Sequence, residues 1–320
     1  MTDPMRFDGE VAIVTGAGRG LGRAYARLLA GRGAAVVIND LGSELAGDGC
    51  SSGPADEVVA ELQAGGATAL ADYGSVTDQA AMEALVERTL ARFGRIDAVI
   101  NNAGTRRIGT VQQAANADYQ AMLDVSLFGT INLTRAAWPA LAQGRGRVVN
   151  TVSSSMFGLP AYSPYVVAKG AVLALTRSLA VDGARDGVAV NAVAPAAVTR
   201  FMRSGGAASG ILDWAEQALD PALVAPIVAF LAHRSCAVNG VVLGGGGGQV
   251  GAWLLGETTG VVDRCLTPET VRDNLERILD PADWQAYGTT ADQGRRMQPL
   301  VSAALGPGAP GAPGGAEDAR

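Results

Sequence analysis

The stretch "VAIVTGAGRGLGRAYARLLA", residues 11–30, joins a short β-rich run to an amphipathic helical pattern through a cluster of glycines. The glycines between the two elements are Gly16, Gly18, Gly20 and Gly22. Glycines at such a junction permit a tight turn and let backbone N–H groups approach a pyrophosphate at the helix N-terminus. The stretch therefore predicts the first strand–turn–helix unit of a nucleotide-binding α/β fold.

The alternation of strand and helix continues along the chain. Short β-rich runs occur at 11–15, 35–39, 67–71, 96–101, 147–152, 188–194 and 238–244. Amphipathic stretches such as "AMEALVERTLARF" at 81–93 lie between them. Such alternation is typical of a parallel sheet covered by helices. The sequence therefore predicts an α/β protein with a Rossmann-type doubly wound sheet, mostly parallel, of about seven strands with helices on both faces.

Composition divides the chain into a folded domain and later segments. Residues 1–250 are predicted to form a dinucleotide-binding catalytic domain, with a mobile lid at about 196–220 where a Gly-rich connection precedes Pro221. Residues 251–303 are expected to form an extension that packs on this domain or at an oligomer interface. The Pro/Gly-rich end, 304–320, predicts a disordered tail.

Charge and composition argue against several classes of partner. Hydrophobic residues make up 48% of the chain and charged residues 18%, which indicates a well-buried globular core. The net charge of −6 argues against a nucleic-acid or anionic-membrane partner, since those usually require basic patches. No apolar run reaches the ~20 residues that span a bilayer, and the N-terminus "MTDPMRFDGE" lacks the features of a signal peptide. A cytoplasmic protein is therefore expected.

Histidine and cysteine are scarce, which limits the chemistry that the chain can carry. His233 is the single histidine, which argues against a histidine triad or a paired-histidine metal site. Cys50, Cys236 and Cys265 are far apart and have no metal-ligand spacing. The sequence predicts no metal, a structural role for His233 at a helix end, and a reducing compartment.

Asp40 ends the second β-rich run and precedes an unusually long loop at 42–53. An acid at this place in a nucleotide-binding fold accepts hydrogen bonds from the adenosine ribose hydroxyls and repels a 2′-phosphate. Arg19 is the opposing signal, since a basic residue in the glycine turn could pair with that phosphate. Because Asp40 would lie directly at the ribose, the sequence predicts NAD as the cofactor rather than NADP.

The stretch "AYSPYVVAKG" holds two tyrosines and one lysine. Tyr165 and Lys169 are four residues apart and share a face if the segment is helical, and the Ser-Pro pair at 163–164 predicts a helix start just after Tyr162. A tyrosine hydroxyl with a pKa near ~10 transfers protons poorly at neutral pH, and a nearby ammonium group lowers that pKa. Tyr165 is therefore the candidate acid and base, although the same spacing also occurs on solvated helices that have no catalytic role.

Three motifs together resemble the short-chain dehydrogenase/reductase family. They are "TGAGRGLG" at 15–22, "NNAG" at 101–104 and "YVVAK" at 165–169, and the resemblance covers about residues 8–250. Within the family the chain most resembles the (3R)-hydroxyacyl-CoA dehydrogenase module of peroxisomal multifunctional enzymes and its bacterial relatives. The similar stretches include "GRAYARLLAGRGAAVVINDLG", "LTRAAW", "SCAVNG" and "GAWLLGETTG".

The resemblance implies an active site of a serine, a tyrosine and a lysine, assisted by an asparagine. Tyr165 and Lys169 match the tyrosine and the lysine. The serine is shifted relative to the family pattern, and alignment from the fifth β-rich run assigns its role to Ser153, with Ser154 as the second choice. Ser126 stands where the family has its asparagine.

The family's cofactor contacts map onto the glycine turn and the ends of later β-rich runs. They are Gly16, Arg19, Gly20, Leu21, Asp40, Ser75, Val76, Asn102, Ala103, Gly104, Tyr165, Lys169, Pro195, Val198 and Thr199. The resemblance implies that Lys169 holds the nicotinamide ribose and lowers the pKa of Tyr165, while Ser153 binds the substrate oxygen. Gly74 departs from the family, since many relatives have an acid there that contacts the adenine, and Asp72 is a candidate replacement.

The implied activity is NAD-dependent hydride transfer between a secondary alcohol and a ketone, with a hydroxy or keto compound such as a 3-hydroxyacyl-CoA thioester as the substrate. Two alternatives stay open, an NADP-dependent 3-oxoacyl carrier-protein reductase and a catalytically inactive nucleotide-binding sensor with the same fold. The family also implies a homodimer or homotetramer that pairs through helices at about 113–142 and 164–182. Candidate lid contacts to a bulky anionic substrate are Arg200, Phe201, Met202, Arg203, Ile211 and Trp214.

Overall fold

The computed structural model describes residues 4–204 and 209–305. The chain divides into two compact units, Met1–Trp253 and Leu254–Arg320. The first unit contains an eight-stranded sheet and the second a two-stranded sheet. This division lies three residues after the boundary at 250 that the sequence analysis expects, because the last strand of the large sheet ends at Trp253.

The large sheet is mostly parallel. Its strands are β1 Val11–Thr15, β2 Ala35–Asn39, β3 Ala69–Asp72, β4 Ala98–Asn101, β5 Arg147–Thr151, β6 Ala189–Pro195, β7 Val242–Gly246 and β8 Gln249–Trp253. Their order is β3-β2-β1-β4-β5-β6-β7-β8, so β1 lies between β2 and β4 and pairs in parallel with both. This is the doubly wound arrangement in which ligands bind beyond the carboxyl ends of the strands, where the strand order reverses.

The sequence pattern does not predict the eighth strand of the large sheet. β8 pairs antiparallel with β7, and Gly246 faces Gln249 at the turn. Gly247 and Gly248 between them have φ values of 59° and 86°, which a two-residue hairpin turn requires and which glycine adopts without strain. The sheet therefore has eight strands rather than about seven, because a glycine-rich hairpin adds a short edge strand that has no β-branched run.

Nine helices are described in the first unit. They are α1 Gly20–Gly31, α2 Gly53–Ala64, α3 Gln79–Phe93, α4 Asn116–Leu123, α5 Gly129–Gly144, α6 Ser163–Asp186, α7 Arg200–Arg203, α8 Ser209–Ala218 and α9 Ala225–Ala232. A π-helical turn at Asp124–Phe128 joins α4 to α5. Such turns insert one extra residue into a helix and often occur at functional sites.

The helices cover both faces of the sheet, as the sequence predicts. Along β1, Ala12 and Val14 join a core with α1, α2 and α9, whereas Ile13 joins the opposite core with α3 and α5. Successive strand side chains point to opposite faces, so a central strand buried on both sides reads as a continuous apolar run. The burial of all five residues of β1 fits this position.

α6 has 24 residues and contains an 18-residue window with a mean hydropathy of 1.2, and by these measures it is the one continuous helix in the described ranges that could cross a membrane. Here it lies against β5 and β6 and carries Tyr165 and Lys169. An apolar helix packed on a sheet meets the same criteria of length and composition.

The second unit has little internal packing. Its strands are β9 Gly256–Thr258 and β10 Trp284–Ala286, and its helices are α10 Pro268–Asp273, α11 Leu275–Ile278 and α12 Thr290–Leu305. The Arg296 guanidinium holds α12 to β9 by donating to the Glu257 carbonyl at 2.9 Å. None of the residues described from 254 to 304 is buried. Docking of this unit onto the domain or an oligomer interface stays a prediction.

Two further predicted segments extend beyond the described ranges. Residues 205–208 of the predicted lid and residues 306–320 of the predicted tail lie outside the described residues. Residues 304 and 305, which the prediction assigns to the tail, are the end of α12.

Candidate active site

The predicted site residues meet at one edge of the sheet, because parallel strands bring their carboxyl ends together. The glycine turn at 16–22 follows β1, and Asp40 follows β2. The "NNAG" motif follows β4, Ser153 follows β5, and Pro195 ends β6. Residues that are far apart in sequence thus line a single cleft.

The glycine turn can exist only with glycine at its crowded positions. Gly16 has a φ of 60°, and a Cβ there would lie 2.9 Å from the Ala103 Cα. A Cβ on Gly22 would lie 2.2 Å from the Gly16 carbonyl oxygen. α1 begins at Gly20, and no side chain caps its N-terminus. Its first backbone N–H groups therefore remain available to an anion.

Asp40 lies directly beside this turn. One carboxylate oxygen accepts a hydrogen bond from the Gly18 N–H at 2.7 Å, and the other accepts from the Gly42 N–H at 2.7 Å. These two bonds fix the carboxylate between the turn and the loop at 42–53. Arg19 is directed toward the same loop, where its guanidinium donates to the Ser43 carbonyl at 3.4 Å.

Asn102 supports the turn from β4. Its side-chain amide donates to the carbonyls of Thr15 at 2.9 Å and Gly16 at 3.0 Å. The Thr15 hydroxyl in return accepts from the backbone N–H groups of Asn102 and Ala103, both at 3.0 Å. The Asn102 side chain thus holds the end of β4 against the glycine turn, a positioning role that its motif alone does not show.

Residues 195–199 pass from β6 toward the glycine turn. Val198 is buried and its N–H donates to the Leu219 carbonyl at 2.8 Å. The Thr199 methyl group lies 3.7 Å from where a Gly20 Cβ would be. Thr199 therefore lies beside the start of α1, and the cofactor contacts of Pro195, Val198 and Thr199 stay predictions.

α6 positions Tyr165 and Lys169. The helix begins at Ser163, directly after Tyr162, so Tyr162 is its N-cap rather than Ser163, to which the Ser-Pro pattern gives that place. The Ser163 hydroxyl does not cap the helix but accepts from the Tyr119 hydroxyl at 2.8 Å. Lys169 is buried, and its Nζ donates to the Thr151 carbonyl at 2.9 Å.

Ser153 is the serine that reaches Tyr165. Its side chain lies close enough to the Tyr165 hydroxyl to lower the pKa of that group, and its hydroxyl accepts from the Ser155 N–H at 3.2 Å. Ser154 is exposed at the start of a 3₁₀ turn, and Ser155 is buried. The structure thus brings together Ser153, Tyr165 and Lys169 and leaves the second choice, Ser154, outside.

A model of the short chain dehydrogenase family matches residues 10–207, more than half of the chain. The chain belongs to the short chain dehydrogenase family. The resemblance inferred from the three motifs is thereby confirmed, as is the prediction of an oxidoreductase.

Most of this dehydrogenase is similar to part of a longer multifunctional enzyme. Peroxisomal multifunctional enzyme type 2 of Mus musculus is 41% identical over 286 residues, which cover 88% of this chain and 38% of that protein. The structure of full-length peroxisomal multifunctional enzyme type 2 from Drosophila melanogaster aligns with a TM-score of 0.76 and 31% identity, covering 93% of this chain and 50% of that one. The dehydrogenase therefore spans half or less of these relatives.

A third relative has been solved with a nucleotide. The 7α-hydroxysteroid dehydrogenase complexed with NADH and 7-oxo glycochenodeoxycholic acid aligns with a TM-score of 0.69 and 25% identity. The alignment covers 78% of this dehydrogenase and 98% of the other chain. The two proteins therefore share the fold over nearly the whole steroid dehydrogenase.

Burial dominates the electrostatics of the catalytic pair. It lowers the pKa of Lys169 to about 8 and raises the pKa of Tyr165 above its ordinary value. The hydrogen bond to Ser153 and the charge of Arg106 lower the pKa of Tyr165, and neighbouring Tyr162 raises it. The motif predicts that Lys169 lowers this pKa, but the net shift is upward, and the Lys169 Nζ lies 6.0 Å from the Tyr165 ring centre.

Ser126 occupies the place of the family asparagine in the dehydrogenase. It is buried in the π-helical turn, and its hydroxyl has no partner among the described residues. The Thr151 hydroxyl, next to the carbonyl that binds Lys169, has no partner there either. The Ser126 carbonyl accepts from the Thr130 hydroxyl at 2.7 Å. Two buried hydroxyls thus lie on the elements that surround the lysine.

Asp72 does not take over the role of the acid missing at position 74. Its carboxylate is buried and accepts from the Asn39 amide at 2.7 Å and from the Gly74 N–H at 2.9 Å. It also forms an ion pair with Arg88. The carboxylate is thus bonded within the protein and fastens β2 to β3. Ser75 bonds to the hydroxyl of Thr77 at 2.9 Å.

The lid residues differ in how they relate to the catalytic pair. The Phe201 ring lies 6.0 Å from the Tyr165 ring, whereas Ile211 and Trp214 are exposed. Arg203 pairs with Glu216 of α8 at 2.6 Å, and Arg200 lies 3.6 Å from Glu44. The two arginines predicted to meet an anionic substrate therefore have acidic partners in the protein.

Two remaining predictions concern histidine and metals. Both ring nitrogens of His233 have partners, the Ser235 hydroxyl at 2.8 Å and the Arg6 carbonyl at 2.9 Å. His233 is the C-cap of α9 and packs edge-on against Phe7, which is a structural role. Across residues 4–204 and 209–305, no cluster of three His, Cys, Asp or Glu side chains could hold a metal.

Proposed function

We propose that this dehydrogenase uses NAD to interconvert a secondary alcohol and a ketone by direct hydride transfer. The observation that carries the proposal is the convergence of Ser153, Tyr165 and Lys169 at the edge of the sheet that also carries the glycine turn. A proton-transfer group, a partner for the substrate oxygen and a lysine thus face the place where a nucleotide fits.

The residues of the cleft fit a dinucleotide. The tight turn at 16–22 leaves the N-terminus of α1 without a side-chain cap, so its N–H groups suit a pyrophosphate. Asp40 would accept from the adenosine ribose, and Lys169 would hold the nicotinamide ribose. Thr199 would cover the nicotinamide end. When bound there, NAD supplies the hydride acceptor.

The protein's own part in the reaction is to orient the substrate and move one proton. Ser153 donates a hydrogen bond to the substrate oxygen and holds it near the Tyr165 hydroxyl. In oxidation, the Tyr165 Oη takes the alcohol proton as the hydride leaves the carbon, and in reduction it returns that proton. Because burial raises the pKa of Tyr165, positive charges close to its hydroxyl favour the ionised form that oxidation requires.

The carboxylate of Asp40 supports NAD over NADP. It is held 2.7 Å from the Gly18 N–H, beside the turn where the adenosine ribose would lie. A 2′-phosphate there would meet a fixed like charge. The same feature argues against the NADP-dependent carrier-protein reductase.

A 3-hydroxyacyl-CoA thioester is the proposed substrate class. Apolar surface follows directly from the serine loop, where Phe157 is 76% exposed and its ring lies 4.6 Å from that of Trp253. Phe201 adds a second apolar wall beside Tyr165. An acyl chain suits such walls, and the multifunctional-enzyme relatives favour the same class. Because Arg203 pairs with Glu216, it no longer supports the proposal.

The test is NADH formation by the full chain with NAD and a set of alcohols. We expect 3-hydroxydecanoyl-CoA to give a higher kcat/KM than 2-propanol or a hydroxysteroid, because it offers an acyl chain to the apolar walls. Equal activity on 2-propanol would contradict the substrate class. NADH binding without turnover of any alcohol would instead indicate the nucleotide-binding sensor.

A homodimer or homotetramer is proposed as the assembly. Exposed apolar side chains occur on the helices that would pair, including Phe128 in the π-helical turn and Val167 and Val181 on α6. A monomeric mass in sedimentation would contradict this assembly. Location in the cytoplasm and the absence of nucleic-acid or membrane partners stay predictions of the sequence.

A further inference from the structure

Arg106 lies in the loop after β4, two residues beyond the "NNAG" motif, and no motif marks it as a site residue. Its backbone N–H donates to the Leu45 carbonyl at 3.0 Å, which ties this loop to the long loop at 42–53. Its side chain is half-buried and extends to the substrate side of the cleft. The residue therefore connects three segments that are far apart in sequence.

The guanidinium of Arg106 binds the lid helix through its backbone. One nitrogen donates to the carbonyl of Phe201, and another donates to the carbonyl of Ser204 at 2.9 Å. Ser204 is the C-cap of α7, where helix carbonyls lack partners within the helix. The planar fork of arginine can serve two such acceptors at once, whereas the single ammonium group of lysine cannot match that geometry.

The same guanidinium lies among the aromatic rings around the catalytic hydroxyl. It is 6.0 Å from the Tyr162 ring centre and 5.9 Å from the Phe201 ring centre. The groups that face Tyr165 are Lys169 on α6, Tyr162, Ser153 and Arg106. Arg106 therefore supplies a positive charge near Tyr165 from the loop after β4, outside α6. This charge lowers the pKa of Tyr165.

A second tie joins the lid to the loop that Arg106 anchors. Arg200, at the start of α7, lies 3.6 Å from Glu44, next to Leu45, whose carbonyl accepts from Arg106. Both side chains are largely exposed, so this ion pair contributes little stability by itself. The half-buried, two-acceptor contact of Arg106 is therefore the stronger attachment of α7.

We propose that Arg106 is a positioning residue that clamps α7 beside Tyr165 and holds a positive charge against the ring cluster that Tyr162 and Phe201 form with Tyr165. The effect of the Arg106 charge on Tyr165 rests on the proposed dehydrogenase function. The attachment of α7 by Arg106 can be tested without any turnover. Two substitutions separate the parts. Arg106→Gln removes the charge and the fork, and Arg106→Lys keeps a charge but loses the fork. Arg92→Gln, at an exposed position on α3, is the control.

The clamp is tested by hydrogen–deuterium exchange of the full chain, read on peptides that cover residues 196–204. We expect about tenfold faster exchange of these amides in both Arg106 variants, because loss of the two carbonyl contacts makes local opening of α7 easier. Arg92→Gln should exchange like the wild type. Unchanged exchange at 196–204 in Arg106→Gln would overturn the clamp.

The charge is tested by the pH dependence of kcat/KM for oxidation of 3-hydroxydecanoyl-CoA with NAD. Oxidation needs ionised Tyr165, so the rate rises with pH as its proton is lost. We expect Arg106→Gln to shift the midpoint of this rise in kcat/KM to a pH about 0.5–1 unit higher. Arg106→Lys should leave the midpoint near its wild-type pH.

A structural role alone would lower activity without moving this midpoint. An unshifted midpoint in Arg106→Gln would therefore overturn the charge part of the proposal. If the wild type oxidises no alcohol at all, the proposed function and the charge part fail together. The exchange result still decides the clamp in that case.

Discussion

On the proposed cofactor side of the cleft, the side chains of Asp40 and Asn102 hydrogen-bond to the glycine turn at 16–22. On the substrate side, formed by Ser126 and residues 151–169, buried hydroxyls of Ser126, Thr151 and Ser155 have no partner among the described residues. A buried polar group without a partner destabilises the fold by about 1–3 kcal/mol. The two sides therefore differ in what their residues contribute to stability.

The buried lysine adds to the contrast. Burial holds the pKa of Lys169 at about 8, well below its ordinary value of 10.5, so its charged form opposes folding at neutral pH. Strain and unsatisfied groups are tolerated where they serve function. The comparison indicates that the cofactor side is preformed by its own hydrogen bonds, whereas the substrate side sacrifices stability to place reactive groups.

The largest expected effect is the loss of chemistry on the substrate side. We expect Tyr165→Phe to lower kcat by about 10³-fold, since it removes the general acid and base, while NADH binding is retained because the cofactor side is intact. Steady-state kinetics and a fluorescence titration with NADH would measure the two quantities. Tyr162→Phe is the control and should be mild; the reverse ranking would refute the assignment of Tyr165.

A smaller effect is expected on cofactor choice. Asp40→Ala should reduce the preference for NAD over NADP by about 10–100-fold, because it removes a charge that a 2′-phosphate would meet. The ratio of kcat/KM for the two cofactors measures this. Asp48→Ala, at an exposed acid in the same loop, should leave the ratio unchanged. A wild-type preference for NADP would contradict the proposal.

The lysine prediction concerns stability and its pH dependence. Below pH 8 Lys169 is charged in both states and burial disfavours the folded one, so Lys169→Met should raise the free energy of unfolding by about 1–3 kcal/mol. Between pH 8 and 10.5 the folded lysine loses its proton first. The wild type should then gain stability with rising pH, and the advantage of the variant should shrink. Urea unfolding of the wild type and of Lys169→Met at pH 7 and pH 10 measures both free energies. If the stability advantage of the variant does not shrink at pH 10, burial of the charged lysine is not its cause.

The smallest expected effects are changes in the free energy of unfolding when one polar residue is removed from the cofactor side, Asn102, or from the substrate side, Ser126. Asn102→Ala should lower the free energy of unfolding by about 1–2 kcal/mol, because it leaves the carbonyls of Thr15 and Gly16 without their donor. Ser126→Ala removes a buried hydroxyl that bonds to nothing described, so it should raise the free energy of unfolding by about 1 kcal/mol, at the low end of the cost of such a group. Urea unfolding of the two variants tests whether the cofactor side contributes more to stability than the substrate side. A larger loss of stability in Ser126→Ala than in Asn102→Ala would contradict that difference.

Local features of this fold could be predicted from sequence. The β1–turn–α1 unit follows from an apolar run, clustered glycines and helical periodicity within 20 adjacent residues. The predicted bounds of β1 at 11–15 and of the next strand, β2, at 35–39 match the structure. The i,i+4 spacing of Tyr165 and Lys169 is also local, because one helix fixes both residues. β8 could not be predicted in the same way, since "QVGAW" becomes a strand only through pairing with β7.

The site shows the same division. Residue types and spacing indicate a serine, tyrosine and lysine chemistry, but only the structure distinguishes Ser153, which is half-buried and lowers the pKa of Tyr165, from the exposed Ser154. Asp72 has the right chemistry for an adenine contact, yet its partners Asn39 and Arg88 keep it inside. Which side chains are free to act depends on neighbours that no short motif contains.

The sequence by itself determined the order of strands and helices, the glycine turn and the pairing of Tyr165 with Lys169, because each depends on residues within a few turns of one another. Tertiary structure alone decided the partners of Arg203, the unsatisfied hydroxyl of Ser126 and the reach of Arg106 to Phe201. The last contact joins residues 95 positions apart. It exists because parallel strands bring their carboxyl ends to one edge, where the loops after β4 and β6 meet over the cleft.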